Sequence, residues 1–203
     1  MNITEQKAQY GTTYDVGYVG FTVTRHSFIA AGISWFQHWD KIKNVPTPTH
    51  VFVITGEDET VEAFPNGVHH GTLSKYLCDP DVALLVRRPW HWTPALGGQI
   101  AAKAAEFIGQ GYGYWLIAGM AVSNSLLGRS LSWVTRGWFG RTVERLCDGK
   151  RSQICSELTA RAMNAQPLLH ELGILKYAEA TITPMELFSD KLVFESGAVE
   201  LLP

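Results

Sequence analysis

Between His50 and Leu73 the chain changes character every few residues, and this constrains the fold more than any other feature. His50-Val51-Phe52-Val53-Ile54 is a short apolar run, Gly56-Glu57-Asp58-Glu59 breaks it, and Thr60-Val61-Glu62-Ala63-Phe64 resumes it. Pro65-Asn66-Gly67 breaks the chain again before Val68 to Leu73. Runs this short, rich in β-branched and aromatic residues and bounded by turn formers, predict an antiparallel hairpin followed by a third short strand. Further strands are expected over Tyr14 to Thr24, over Val82 to Arg88 up to Pro89, and over Lys191 to Glu195.

The remaining periodic segments read as helices. Ser27 to Asp40 carries Ile29, Ile33 and Phe36 at i, i+4 and i+7, and Pro94 to Gly109 places Ile100, Ala104 and Phe107 on one face. Trp115 to Leu127 and Trp133 to Leu146 read as helices or helical loops, and Cys155 to Asn164 stacks Leu158 on Ala162. Thr183-Pro184-Met185-Glu186-Leu187 begins a short helical turn with proline at a favoured first-turn position. The sum predicts an α+β fold, a small antiparallel sheet packed against helices. A chain of 203 residues sustains one sizeable core, so a single domain over residues 1–203 is expected, with 1–13 flexible or peripheral.

Composition narrows the partners. A net charge of −2 with scattered Lys and Arg gives no basic surface for nucleic acid, and the loose group from Arg129 to Arg151 reads as a solvated face or an anion-facing loop. The three cysteines, Cys78, Cys147 and Cys155, form no disulfide framework and fit a reducing compartment. The N-terminus has no apolar signal segment, so a cytoplasmic location is expected; a cell-wall role would need delivery by another machine, such as a phage particle. The apolar stretch from Tyr114 to Val122 is too short to span a bilayer and reads as a core helix, with a membrane-facing helix as the alternative.

Cys155 stands at the start of a helical pattern, after the polar segment Asp148-Gly149-Lys150-Arg151-Ser152. The free N–H groups and positive dipole end of a helix favour thiolate over thiol, and a thiolate is the nucleophile of cysteine hydrolases and acyltransferases. A lone cysteine on a helix is more often a small core residue, so position alone leaves both roles open. A thiol nucleophile needs a base. Of seven histidines, His50 is the best placed, at the start of a strand after a Pro-rich loop. His69 and His70 are adjacent and point to opposite faces of an extended segment, with no third ligand at a metal-binding spacing. Glu62, on the neighbouring strand, is a candidate to orient His50, or else faces solvent by alternation; in the hairpin it lies a few residues nearer the turn than His50, with register undetermined.

The order His50, Glu62, Cys155 resembles the circularly permuted branch of the NlpC-type cysteine peptidase superfamily, the YiiX/YebB-like proteins, relatives of the lecithin retinol acyltransferase group. Asp15 near the first strand, Thr49-His50-Val51, Val61-Glu62-Ala63 with Asn66-Gly67-Val68, Ile154-Cys155-Ser156-Glu157-Leu158 and Thr183-Pro184-Met185-Glu186-Leu187 carry the likeness, which spans roughly residues 14 to 190. Gly111-Tyr112-Gly113-Tyr114-Trp115 departs from it, lacking the aspartate that often follows the family's middle Gly-Tyr, and the Trp-rich stretch from Trp133 to Cys147 has no clear counterpart.

The resemblance implies a papain-like fold with Cys155 as nucleophile, His50 as general base and Glu62 orienting His50. The expected activity is a thiol hydrolase, an amidase or peptidase cleaving an amide or ester bond through an acyl-enzyme. Neither cofactor nor metal is expected. The Cys155 backbone N–H would be one oxyanion donor. Candidate substrates are peptides, peptidoglycan fragments and lipid amides. Trp35, Trp90, Trp92, Trp133 and Trp138 are candidate cleft walls, although tryptophans are mainly core residues. The alternatives are an acyltransferase or lipid-directed amidase, with 114–127 and 131–139 meeting acyl chains, and a non-catalytic binding or structural module.

Overall fold

The punctuated segment forms the hairpin expected of it. In a computed structural model that describes residues 2–24, 47–64, 66–112, 152–153, 155–178 and 182–203, β3 (His50–Ile54) pairs antiparallel with β4 (Thr60–Phe64), and β4 with β5 (Gly67–Gly71). On its other side β3 pairs with β2 (Val19–Thr24), which pairs with β6 (Val82–Arg87). β9 (Ala198–Leu202) follows, and β1 (Ile3–Lys7) runs parallel to it at the edge. The result is a seven-stranded sheet in the order β1-β9-β6-β2-β3-β4-β5. The expected helices at 27–40, 115–127 and 133–146 lie outside the described residues.

Four α-helices are described, and period-2 alternation along the strands sorts them onto two faces. Val19, Phe21, Val51, Val53, Val61, Ala63 and Leu85 share one core with Leu96, Ile100, Leu158, Met163, Leu187 and Phe188. These last come from α2 (Pro94–Ala105), α3 (Cys155–Asn164) and α4 (Pro184–Ser189). The alternate residues Tyr18, Phe52, Ile54, Leu84 and Val86 form a second core with Leu73, just before α1 (Ser74–Leu77), and with Tyr76 and Leu77 of that helix. Fully buried side chains of this size contribute about 1.5–3 kcal/mol each.

Local chemistry fixes the helix ends. Thr93 accepts a hydrogen bond from Leu96 N–H with Pro94 in the first turn of α2, and Thr183 with Glu186 makes a reciprocal capping box on α4. The start of α2 lies against Val16 and Gly17. A Cβ on Gly97 would stand 2.2 Å from the Val16 carbonyl oxygen, and one on Gly17 would strike Gly97. No side chain at either position permits this approach, which the Trp92 Nε1–H to Val16 carbonyl bond of 2.9 Å also holds.

Two expectations need correction. Lys191 to Glu195 is not a strand; its ladder pairing is an isolated bridge between Phe194 and Pro89, and the last strand is Ala198–Leu202. The cause is competition for its backbone groups. Asp190 accepts from Leu192 N–H and Val193 N–H, while the buried Arg87 guanidinium takes the carbonyls of Phe188, Asp190, Glu195 and Gly197 at 2.5–3.2 Å. The segment from Tyr14 is also not strand throughout: β2 begins at Val19, after a turn in which Tyr18 N–H bonds the Asp15 carbonyl.

Candidate active site

Glu62 is fully buried, so its charge demands compensation. Oε2 accepts from His50 Nε2–H at 3.0 Å and from the Tyr76 hydroxyl at 2.5 Å; Oε1 accepts from Lys75 Nζ at 2.8 Å and from the Thr60 hydroxyl. Register explains the pairing. Glu62 lies opposite Phe52, so His50 is its diagonal neighbour on the same face, two residues farther from the turn. Gly71 makes room, since a Cβ there would stand 2.0 Å from Glu62 Oε1. Burial alone would raise the Glu62 carboxyl, but the bonds from His50, Lys75, Thr60 and Tyr76 outweigh it and hold the group down to about 2.

Cys155 arrives from the other face. It is the first residue of α3, 7 % exposed, and its helix packs on Val51 and Val53. The β3–β4 pairing ends at Phe52↔Glu62, one residue short of Val51. Ile54 N–H bonds the Tyr18 carbonyl on the β2 side, so the Val51 N–H points the opposite way, to where β4 has parted from the strand. It meets the Cys155 sulfur there, as does the Ser156 N–H. The sulfur also hydrogen-bonds His50, whose Nε2 is already committed to Glu62, so Nδ1 is the nitrogen facing it.

The thiol is therefore buried but not among aliphatic groups alone. Burial raises it, and the bond and charge of His50 with the Val51 and Ser156 N–H groups bring it below its ordinary value. Burial lowers His50, and its bonds to Cys155 and Glu62 and their charges reverse this, lifting it to about 9. Both shifts run in the direction that favours a thiolate beside an imidazolium. Burial and the neighbouring carboxylate push the Tyr76 phenol upward, so it remains a donor.

The helix end is itself well supported. Ser156 Oγ donates to the Ile182 carbonyl, Thr159 Oγ1 to the Cys155 carbonyl at 3.1 Å, and Glu157 in the first turn pairs with Arg161 at 3.0 Å. The N–H of Cys155 stands at the first helical position, where the helix itself supplies no acceptor.

All three residues singled out from sequence thus converge. Lys75, Tyr76 and Thr60 were missed. Tyr76 stacks on Phe52 (centroids 5.0 Å apart), and both Lys75 and Tyr76 sit on a four-residue helix with no room for periodicity. His69 lies opposite Glu62 and stacks on Phe64, and among the described residues no group of three or more His, Cys, Asp and Glu side chains could hold a metal ion. Trp92 packs edge-on against Tyr18 in the second core and Trp90 is exposed beside His91, so neither reaches the triad; Trp35, Trp133 and Trp138 lie outside the described residues. A groove of about 550 Å³ lined by Tyr14, Glu57, Asp58, Glu59 and Leu77 opens at the hairpin turn, the far end of β3 from His50, and carries no nucleophile. Among the described residues no helix is long and apolar enough to cross a membrane. Compared with protein-family models the chain matches none, and no curated protein matches it.

Proposed function

We propose that the protein is a thiol hydrolase that cleaves an amide or ester bond through Cys155, His50 and Glu62. One observation carries the reading: a sulfur at a helix start, an imidazole and a saturated carboxylate, far apart in sequence, form one hydrogen-bonded line. The order of a histidine strand, a glutamate strand and a late cysteine helix, with the NlpC-like segments around them, supports a circularly permuted papain-like fold.

In this mechanism the thiolate attacks the substrate carbonyl carbon and its π electrons move to oxygen, where the Cys155 N–H stabilises the charge. Collapse re-forms the C=O and expels the amine or alcohol, which takes the proton from His50 Nδ1. The acyl group remains on sulfur as a thioester. Water then attacks with His50 accepting its proton, and the second collapse releases the acid and regenerates the thiolate–imidazolium pair. Glu62 keeps the imidazole in the tautomer that leaves Nδ1 for the sulfur. Peptides, peptidoglycan fragments and lipid amides are the substrate classes this chemistry serves.

A p-nitrophenyl ester tests the reading without knowledge of the natural substrate. A burst of nitrophenolate, with one acyl group found by mass spectrometry on Cys155, is expected. Turnover that survives Cys155→Ala, or acylation elsewhere, would overturn it.

A further inference from the structure

We propose that Lys75 is a positioning residue for this site: its ammonium locks the Glu62 carboxylate in its aim at His50, and its charge makes the thiolate easier to form on Cys155. The inference rests on the active-site reading above and adds a residue that the sequence pattern did not mark.

The observations are geometric. Lys75 Nζ lies 2.8 Å from Glu62 Oε1, 4.6 Å from the Tyr76 ring centre and 4.8 Å from that of Phe64. The side chain is 37 % exposed and could extend into water, yet it turns to a carboxylate with no exposure at all. Glu62 accepts two donors on each oxygen, which leaves the carboxylate no freedom to rotate. Three of the four partners, Thr60, Tyr76 and His50, belong to the sheet or stack on it; Lys75 brings an ammonium group.

That charge distinguishes Lys75 from a spare donor. The titratable groups it touches are Glu62 on β4 and Tyr76 on α1; His69 on β5 lies opposite Glu62, and Glu62 carries the contact on to His50 on β3 and so to Cys155 on α3. A cation among them opposes proton binding at both the sulfur and the imidazole. Without it the thiol holds its proton to higher pH.

The pH dependence of alkylation by iodoacetamide, read on the Cys155 peptide by mass spectrometry, tests this with no substrate. Exposed Cys78 is the internal reference. In Lys75→Met the acid limb of Cys155 alkylation is expected to move to higher pH, slowing the reaction on that limb by roughly threefold or more. Lys75→Arg keeps the charge and should restore the limb. Tyr76→Phe, which removes a neutral donor but keeps the ring, should move it less than Lys75→Met. A Lys75→Met profile that overlays the unaltered protein, or a Lys75→Arg profile displaced as far as Lys75→Met, overturns the proposal. Alkylation of Cys155 no faster than Cys78 in the unaltered protein is a different failure: it removes the active-site reading and this inference with it.

Discussion

Arg87 and Glu62 are both sealed within the same sheet, one on each face, and they are solvated in opposite ways. Arg87 gives its hydrogen bonds to four backbone carbonyls and stands over the Phe194 ring at 4.6 Å. Burial lowers it only to about 10, so it stays charged throughout the neutral range. It fastens the end of α4 and the approach to β9, and none of its hydrogen-bond partners titrates. Glu62 is surrounded by side chains, and one of them, His50, titrates and faces a thiol. The contrast separates a buried charge that holds the chain from one that holds a titratable side chain. Backbone partners make a fixed strut, whereas side-chain partners let protonation at one atom be felt at another.

Four measurements would break or sharpen this contrast. The largest effect is expected from Cys155→Ala and His50→Ala, each lowering ester turnover by about 10⁴-fold, or about 5.5 kcal/mol, while Cys155→Ala changes stability by less than about 1 kcal/mol. A large drop in melting temperature for Cys155→Ala with turnover retained would return that residue to the core. Next comes Arg87→Met, which strands buried carbonyls and should cost about 3–5 kcal/mol in urea unfolding, with unchanged alkylation of Cys155 in the folded protein. Altered Cys155 reactivity in that folded variant would erase the distinction between the two charges.

The third is a pH effect. Glu62 is held at about 2 against an ordinary 4.5. Because its folded value is depressed, its contribution is present above pH 4.5 and is lost as pH falls toward 2. The loss is on the order of 3 kcal/mol and should be visible as an acid limb of stability that Glu62→Gln flattens. An unchanged limb in that variant would mean the carboxylate is not the group responsible. The smallest is the kinetic effect of Glu62→Gln, roughly tenfold to a hundredfold on turnover and less than His50→Ala, since orientation is a smaller contribution than proton transfer. The reverse order of rates would assign the third position wrongly.

Legibility in the sequence followed the strength of the local signal. His50–Ile54, Thr60–Phe64 and Cys155–Asn164 are bounded where alternation, turn residues and helical spacing place them. Ile3–Lys7 escaped because an edge strand facing solvent has no alternation to display: Thr4-Glu5-Gln6-Lys7 is polar throughout. The Lys191–Glu195 segment was misread because its neighbours' carbonyls are claimed by Arg87, a contact more than a hundred residues away in sequence. Residue types and order singled out His50, Glu62 and Cys155, but the end of strand pairing at Phe52↔Glu62, through which the sulfur reaches the imidazole, is a property of register that no local pattern carries.

β7 (Gly111–Tyr112) and β8 (Ser152–Gln153) pair in parallel, Tyr112 beside Gln153, two residues before Cys155. A parallel pair cannot be closed by a tight turn, so a crossover of a dozen or more residues is obligatory. Beyond that minimum, doubling its length costs only about 0.6 kcal/mol of closure entropy. The β7–β8 pairing therefore anchors the chain just ahead of Cys155 whatever the number of residues that run between its two strands.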